Sequence, residues 1–445
     1  MFDDQMGVHS QPVPIELHAA DLRGHMLRTG IPGLLNPAPG ILARQVAGRV
    51  VDAERRVTAL ARLRNDTSKP LVNCWRPSGA SMGGAGVAIM CAEFDRHFAG
   101  VGWDEVGHSM LAAGLAEVCA PDMPLSLFSG ALGYASAVWL SSRRGTRYRA
   151  LIESLDATFL SRMCAFAGRS HTAPDAYDIV NGIAGWTGYL LSREPAAEMD
   201  EVAQLLAGAF VSVLNETGLR RMSYRGDRIR LLDLGLAHGL AGPLAALALL
   251  ETRYRFGRPD ILESIRWAAQ WFADKAVLEA GCLLWPPTVG LDSAGEVDLG
   301  LRSENAGSWC HGSSGVARAL YLAGNAIDSA EYRDFAVAAM RTHCERPPVL
   351  RSPNLCHGVA GQLMLTLTFA QDTGDRTFER AAECLARRLI DDYRPDSLLG
   401  YQDVEHVGLA VDNPGLLRGA AGVALALLAS SRPEVPAWTR LLLIA

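Results

Sequence analysis

"NLCHGVAGQLMLTLTFA" (residues 354–370) carries two signals in one stretch. Its second half is an apolar run without a breaker, the pattern of a helix buried on every side. Its first half sets Cys356 and His357 against two glycines three apart, Gly358 and Gly361. The same phrase stands upstream as "SWCHGSSGVA" (residues 308–317), centred on Cys310 and His311.

The glycine pair recurs beyond these two places. Gly-x-x-Gly begins at Gly83, Gly130, Gly182, Gly239, Gly312, Gly358 and Gly419, at intervals of 46 to 73 residues. An apolar run follows most copies, as in "PLAALALLETRY" from Pro243 and "VALALLAS" from Val423. A turn and an amphipathic segment usually come next. After "QDTGD" in the sixth unit, Phe378, Ala381, Ala382, Leu385 and Leu389 share one helical face, while Arg380, Glu383, Arg387 and Arg388 lie elsewhere. Each unit is therefore a buried helix paired with a half-exposed one. Such a pair cannot cover its own apolar face, so units must stack.

The buried helices lack the polar side that would line an open solenoid. The expected fold is all-α, an α/α toroid (barrel) of seven helical hairpins with the glycines where loops enter the inner helices. Positive φ and close backbone approach are the two reasons expected for glycine there. The barrel is assigned to residues 71–445, and residues 1–70 to an N-terminal segment packed on it. The "WPPTVGLDSAGEVDLGLRSENAGS" stretch lengthens the fifth loop and is expected to cover a site.

Composition narrows the function. With 49% hydrophobic and 20% charged residues, the 445-residue chain has a globular make-up, and its net charge of -6 offers nucleic acid no basic footprint. No run approaches the roughly 18 apolar residues of a membrane span, so an integral membrane protein is not expected. The acidic N-terminus lacks a signal core, which leads to an expectation of a cytoplasmic chain, at most peripheral to a membrane-associated complex. Nine scattered cysteines do not form a secreted disulfide framework.

If the seven loops converge, the residues before the first glycines share a cavity. They are Met82, Ser129, Asn181, His238, His311, His357 and Arg418, with Cys310 and Cys356 one step earlier in two units. Two thiolates and an imidazole suit Zn²⁺, and Cys310, Cys356 and His357 make three protein ligands with a fourth position open, the catalytic pattern. His311 is read as facing substrate rather than closing the site. Cys74, Cys91, Cys119, Cys164, Cys282, Cys344 and Cys384 are read as small core residues. His97, His108, His171, His343 and His406 are read as ordinary surface or core residues.

The phrases "DLGLAHGLAG", "SWCHGSSG" and "NLCHGVAG", set on seven Gly-x-x-Gly units over residues 80 to 430, resemble the LanC-type lanthionine cyclases and the related LanC-like proteins. The resemblance implies a toroid with one zinc ion, and thioether formation between a peptide cysteine and a dehydroalanine or dehydrobutyrine. It implies a dehydrated precursor peptide as substrate, a separate dehydratase and an exporter as partners. Carried over residue by residue, Cys310, Cys356 and His357 match the zinc ligands, His238 an acid–base histidine and Asp178 an acidic residue needed for cyclisation. Two positions depart from the pattern: His311 stands where many bacterial cyclases have tyrosine, and Ala306 where an arginine is common, with Arg302 a candidate to reach back. The alternatives are a LanC-like zinc protein that binds glutathione or acts on thioethers, and an α/α-barrel glycoside hydrolase, which would need paired carboxylates.

Overall fold

The computed structural model describes residues 37–71, 73–167, 174–194, 196–226, 229–292, 295–297, 299–300, 306–405 and 408–445. Among these residues, seven inner helices follow the seven glycine phrases: Gly84–His97, Ala131–Ser141, Ile183–Ser192, Ala241–Tyr254, Ser313–Ala326, Val359–Thr373 and Ala420–Ser430. Leucine and alanine favour helix and carry no group that resists burial. Residues Ala420 to Ala429 of the last are all buried, so it is apolar because every side meets protein.

Outer helices alternate with the inner ones as Trp103–Val118, Arg149–Ala167, Ala197–Val211, Pro259–Lys275, Ala330–Glu345 and Arg376–Asp391. The sixth hairpin shows how the sequence makes the turn. Gly374 ends the inner helix in the left-handed region (φ 64°), and the Asp375 side chain accepts the Thr377 N–H to start the outer one. That outer helix buries Phe378, Ala382, Ala386 and Leu389 and leaves its arginines toward water.

The seventh inner helix takes its outer partner from the other end of the sequence. Helix Pro37–Val51 packs on Ala420–Ser430, with Leu42, Ala43, Val46, Ala47 and Val50 fully buried. Residues 37–51 therefore belong to the toroid, and Ala53–Asp66, capped by Asp52, continues from them. The first part of the N-terminal segment, residues 1–36, lies outside the described residues.

Closure is visible in the backbone. The Ser81 N–H donates to Phe128 C=O, Phe128 N–H to Val180 C=O, and Ile179 N–H to Ala237 C=O. Ala237 N–H then donates to Cys310 C=O, Cys310 N–H to Cys356 C=O, Cys356 N–H to Leu417 C=O, and Leu416 N–H to Ser81 C=O. Each of the seven loops is thus tied to the next in a closed circuit at one end of the barrel.

The glycines serve this circuit by size alone. The capping glycines Gly130, Gly182, Gly312, Gly358 and Gly419 have φ between -131° and -88°, and Gly83, at 174°, is extended, so positive φ is not the reason for glycine. Close approach is. A Cβ on Gly133 would lie 1.9 Å from Leu127 O, and one on Gly422 2.0 Å from Leu416 O. The loop folds back onto the first turn of its own helix, and any side chain there would collide with backbone.

The long stretch before Cys310 is not wholly loop. Thr288–Leu291 pairs antiparallel with Arg230–Asp233, and Tyr224–Arg225 and Glu296–Val297 extend this sheet on either side. A second hairpin joins Gln402–Val404 to Ala410–Asp412. Both sheets arise in loops at the glycine end, and their strands carry Asp233 and Asp403 toward the same place.

Candidate functional site

Consecutive links of the loop circuit bring Cys310 and Cys356 together. Their sulfurs and a ring nitrogen of His357 lie within 4.8 Å of one another, the one thiol–imidazole cluster among the described residues that could hold a metal ion. Cys310 is buried and Cys356 and His357 are partly buried. The Cys310 thiol is held well below its ordinary pKa, first by the hydrogen bond from Cys356, against burial, with His357 assisting. Cys356 is pushed well up by the same bond and by burial. The two buried thiols share this hydrogen bond and therefore lose their first proton as a pair.

His357 is braced from behind. Its backbone N–H donates to Asn354 Oδ1 at 2.9 Å, and its Nε2 lies 3.0 Å from Asn354 Nδ2. Asn354 Nδ2 and Ser352 Oγ both bond Asp403 Oδ1, at 2.6 and 2.9 Å, and Arg418 pairs with Asp403 Oδ2 at 2.6 Å. This buried network orients the imidazole, the part that hydrogen-bonded neighbours play around metal-ligating histidines.

His238 and Asp178 come from adjacent units and meet at 2.7 Å, Nδ1 to Oδ2. Asp178 is fully buried, and its Oδ1 accepts the N–H groups of Asn181 (2.6 Å) and Gly182 (2.9 Å) at the start of its inner helix. A carboxylate fixed in this way receives the Nδ1–H of His238 and leaves Nε2 for proton transfer. Burial pulls the His238 pKa down, but the Asp178 contact outweighs it and leaves the pKa above the ordinary imidazole value.

His311 forms a second His–carboxylate pair, with Asp233 Oδ2 3.2 Å from Nδ1, and its ring stacks on His238 with centroids 5.6 Å apart. The Asp233 bond, against burial, raises the His311 pKa to about 9. Gly235 lets its loop press in here, since a Cβ would lie 2.5 Å from Cys310 O and 2.8 Å from His311 Cα. Tyr224, diagonal to Asp233 across the strand pair and half exposed, completes the rim. Burial and the charges of Asp178, Asp175 and Asp233 raise its hydroxyl to about 12, so it stays neutral.

The six residues singled out in the sequence thus fall into a thiol–imidazole trio that could hold a metal ion, a His238–Asp178 pair, and His311 bridging toward His238. Asp233, Asn354 and Asp403 were missed. Asn354 and Asp233 sit inside the motif phrases, two residues before Cys356 and five before His238, and could have been found there. Asp403, in a hairpin outside any repeat, left no signal. Ala306 is buried and its C=O accepts the Ser314 N–H at 3.0 Å, while Arg302 lies outside the described residues. Cys74, Cys119 and Cys384 are exposed, contrary to the core reading, because they stand on outward faces of loop or helix. His171 and His406 lie outside the described residues.

A closed α/α toroid with thiols, imidazoles and carboxylates gathered at its loop end defines a class of protein, and comparison with known families agrees with it. The family described as lanthionine synthetase C-like protein matches residues 75–443. The chain belongs to that family. It is 22% identical over 298 residues to the nisin biosynthesis protein NisC of Lactococcus lactis subsp. lactis, covering 62% of this chain and 70% of that protein. In fold it is similar to a solved structure of nisin cyclase, with a TM-score of 0.69 and 20% identity over 88% of this chain and 97% of that one. No helix among the described residues is long and apolar enough to cross a membrane.

Proposed function

We propose that this chain is a zinc-dependent lanthipeptide cyclase, adding cysteine thiols of a dehydrated precursor peptide to dehydroalanine or dehydrobutyrine to form lanthionine or methyllanthionine. The observation that carries this reading is the meeting of Cys310, Cys356 and His357 at the same loop end as the His238–Asp178 pair. The similarity to NisC and to nisin cyclase supports the peptide substrate.

The donor set fits Zn²⁺, which Cys310, Cys356 and His357 would hold. When bound, the metal lowers the pKa of a substrate thiol so that thiolate dominates at neutral pH. The remaining work falls to the chain. His238, oriented through Nδ1 by Asp178, takes the thiol proton on Nε2. As the sulfur bonds to the β-carbon, the C=C pair moves to the α-carbon and the neighbouring carbonyl. His238 returns the proton to the α-carbon, so atoms and charge balance. His311, held cationic by Asp233, stands beside His238 where it stabilises the negative charge that develops on the enolate.

The substrate requires a preceding dehydration of serine or threonine, so a dehydratase acts first; an exporter and a cytoplasmic setting follow from the same reading. The test is incubation of the purified chain with a dehydrated precursor peptide, followed by alkylation and mass spectrometry. Loss of alkylable thiols at unchanged peptide mass supports cyclisation. Thiols that stay fully alkylable contradict it, and tight binding of glutathione in their place would favour the thiol-binding alternative.

A further inference from the structure

The segment that follows the seventh inner helix crosses the interior of the ring. Trp438, Leu441, Leu442, Leu443 and Ile444 are all buried. The 3-10 turn Ala437–Leu442 packs on the third inner helix, Ile183–Ser192, where Arg440 Nη1 donates to Leu191 C=O at 3.2 Å. Gly188 makes the room, because a Cβ there would stand 3.0 Å from Arg440 O and 3.2 Å from Leu441 Cα. Two residues past the end of the turn, Ile444 C=O accepts Arg318 Nε–H from the fifth inner helix at 2.7 Å. The fourth inner helix separates the third from the fifth, so a segment touching both lies inside the barrel.

The attachment to the fifth helix is costly enough to need a reason. Arg318 is 2% exposed, paired with Asp372 at 2.6 Å and flanked by the rings of Tyr321 and Phe369 at 5.2 and 5.4 Å. A buried cation is tolerated only when paired and hydrogen-bonded, and here part of that satisfaction comes from the crossing segment. The segment then reaches the loop end through Trp309. The Trp309 indole N–H donates to Leu442 C=O at 3.0 Å, and the ring, 1% exposed, meets Phe128 edge-on with centroids 6.1 Å apart.

Trp309 is bonded directly to Cys310. The Cys310 N–H and C=O are already committed to Cys356 and Ala237 in the loop circuit, which fixes Cys310 laterally. We propose that segment 437–444 is a positioning element for the metal centre, in which Leu442 C=O, by holding the Trp309 indole, sets the height of Cys310 relative to Cys356 and His357. The proposal rests on the reading that these three residues hold zinc.

The test uses the full chain with two substitutions that disturb the segment from opposite ends. Trp309→Phe keeps a ring and removes the donor; Gly188→Ala pushes on the segment from a helix remote from the ligands. Met163→Ala, a cavity in the outer helix of the second unit, serves as a destabilised control. Zinc affinity is read by competition with a chromophoric chelator, beside circular dichroism and the thermal midpoint. Both segment variants are expected to bind zinc ten- to a hundredfold more weakly, the size of effect that outer-shell changes produce, while the control, though less stable, binds as the unsubstituted chain does. Wild-type affinity in folded Trp309→Phe overturns the proposal, as does an equal loss in the control. Should Gly188→Ala fail to fold, Trp309→Phe decides alone. An unsubstituted chain that takes up no zinc overturns the reading of the ligand trio as well, which separates the two failures.

Discussion

The Asp178 carboxylate receives His238 Nδ1 on one oxygen at 2.7 Å and two backbone N–H groups on the other, so the imidazole is oriented by a group that is itself immobile. Replacing Asp178 with Asn keeps the shape and removes the charge. The His238 pKa then falls and its tautomer is no longer selected. Cyclisation is expected to slow by about 10²–10⁴-fold, the usual contribution of a positioned acid–base group, with the peptide still bound. Single-turnover kinetics and the titration of the His238 ring by NMR check both parts; an unchanged titration would separate the carboxylate from the histidine.

The steric account of the glycine phrases predicts opposite outcomes at two glycines. Gly133→Ala places a Cβ 1.9 Å from Leu127 O and should destabilise by about 3 kcal/mol, at the upper end for overpacking. Gly208→Ala, on an outer helix with nothing within 4 Å, should stabilise by about 0.5–1 kcal/mol through helix propensity. Denaturant titration of both variants gives the comparison.

Helix Pro37–Val51 is predicted to be part of the cooperative unit. Leu42, fully buried against the seventh inner helix, should cost about 2–5 kcal/mol on substitution by Ala. Loss must appear in the single global transition. A separate early transition for residues 37–66 would show that the helix merely decorates the barrel.

Buried His343 predicts an acid sensitivity. Its Nε2–H donates to Leu283 C=O at 3.1 Å and its Nδ1 faces Ser314 Oγ at 2.8 Å, a neutral arrangement, and burial lowers its pKa to about 4. The unfolded chain, with an imidazole near the model-peptide value of about 6.5, binds a proton that the folded chain refuses between these values. Stability is therefore lost as pH falls from about 6.5 toward 4, by up to about 1.4 kcal/mol per pH unit. His343→Gln should show a slope shallower by about one proton in urea titrations over that range; equal slopes would contradict the assignment.

Much of this was legible because one physical constraint repeats. A helix that must be buried on all sides, entered by a loop folded back on its first turn, forces glycine at two fixed positions, and that period told where Cys310, Cys356, His357 and His238 converge. Asp178 and His238 were each singled out through family resemblance, and the structure brings the two side chains into contact at 2.7 Å. Residues 37–51 were read as part of a segment packed on the barrel, not as the outer helix of its seventh hairpin, because their partner lies some 380 residues away in sequence, beyond any local pattern. Asp403 was hidden because a two-stranded hairpin of three residues per strand has too few positions to show alternation, and the strand pairing that delivers Asp233 was hidden because its partner, Thr288–Leu291, lies far along the chain. The expectation of positive φ at the glycines failed because lack of space and freedom of φ select the same residue, and sequence cannot tell them apart.

The central claim is that two sulfurs and one imidazole from two neighbouring units hold a single zinc ion. Elemental analysis of the purified chain, repeated after Co²⁺ exchange with the thiolate charge-transfer band recorded, tests it most directly. The account predicts one zinc per chain, a cobalt spectrum with sulfur ligation, and loss of both in Cys310→Ala and Cys356→Ala. A folded, unsubstituted chain that is metal-free and takes up no equimolar zinc would contradict it.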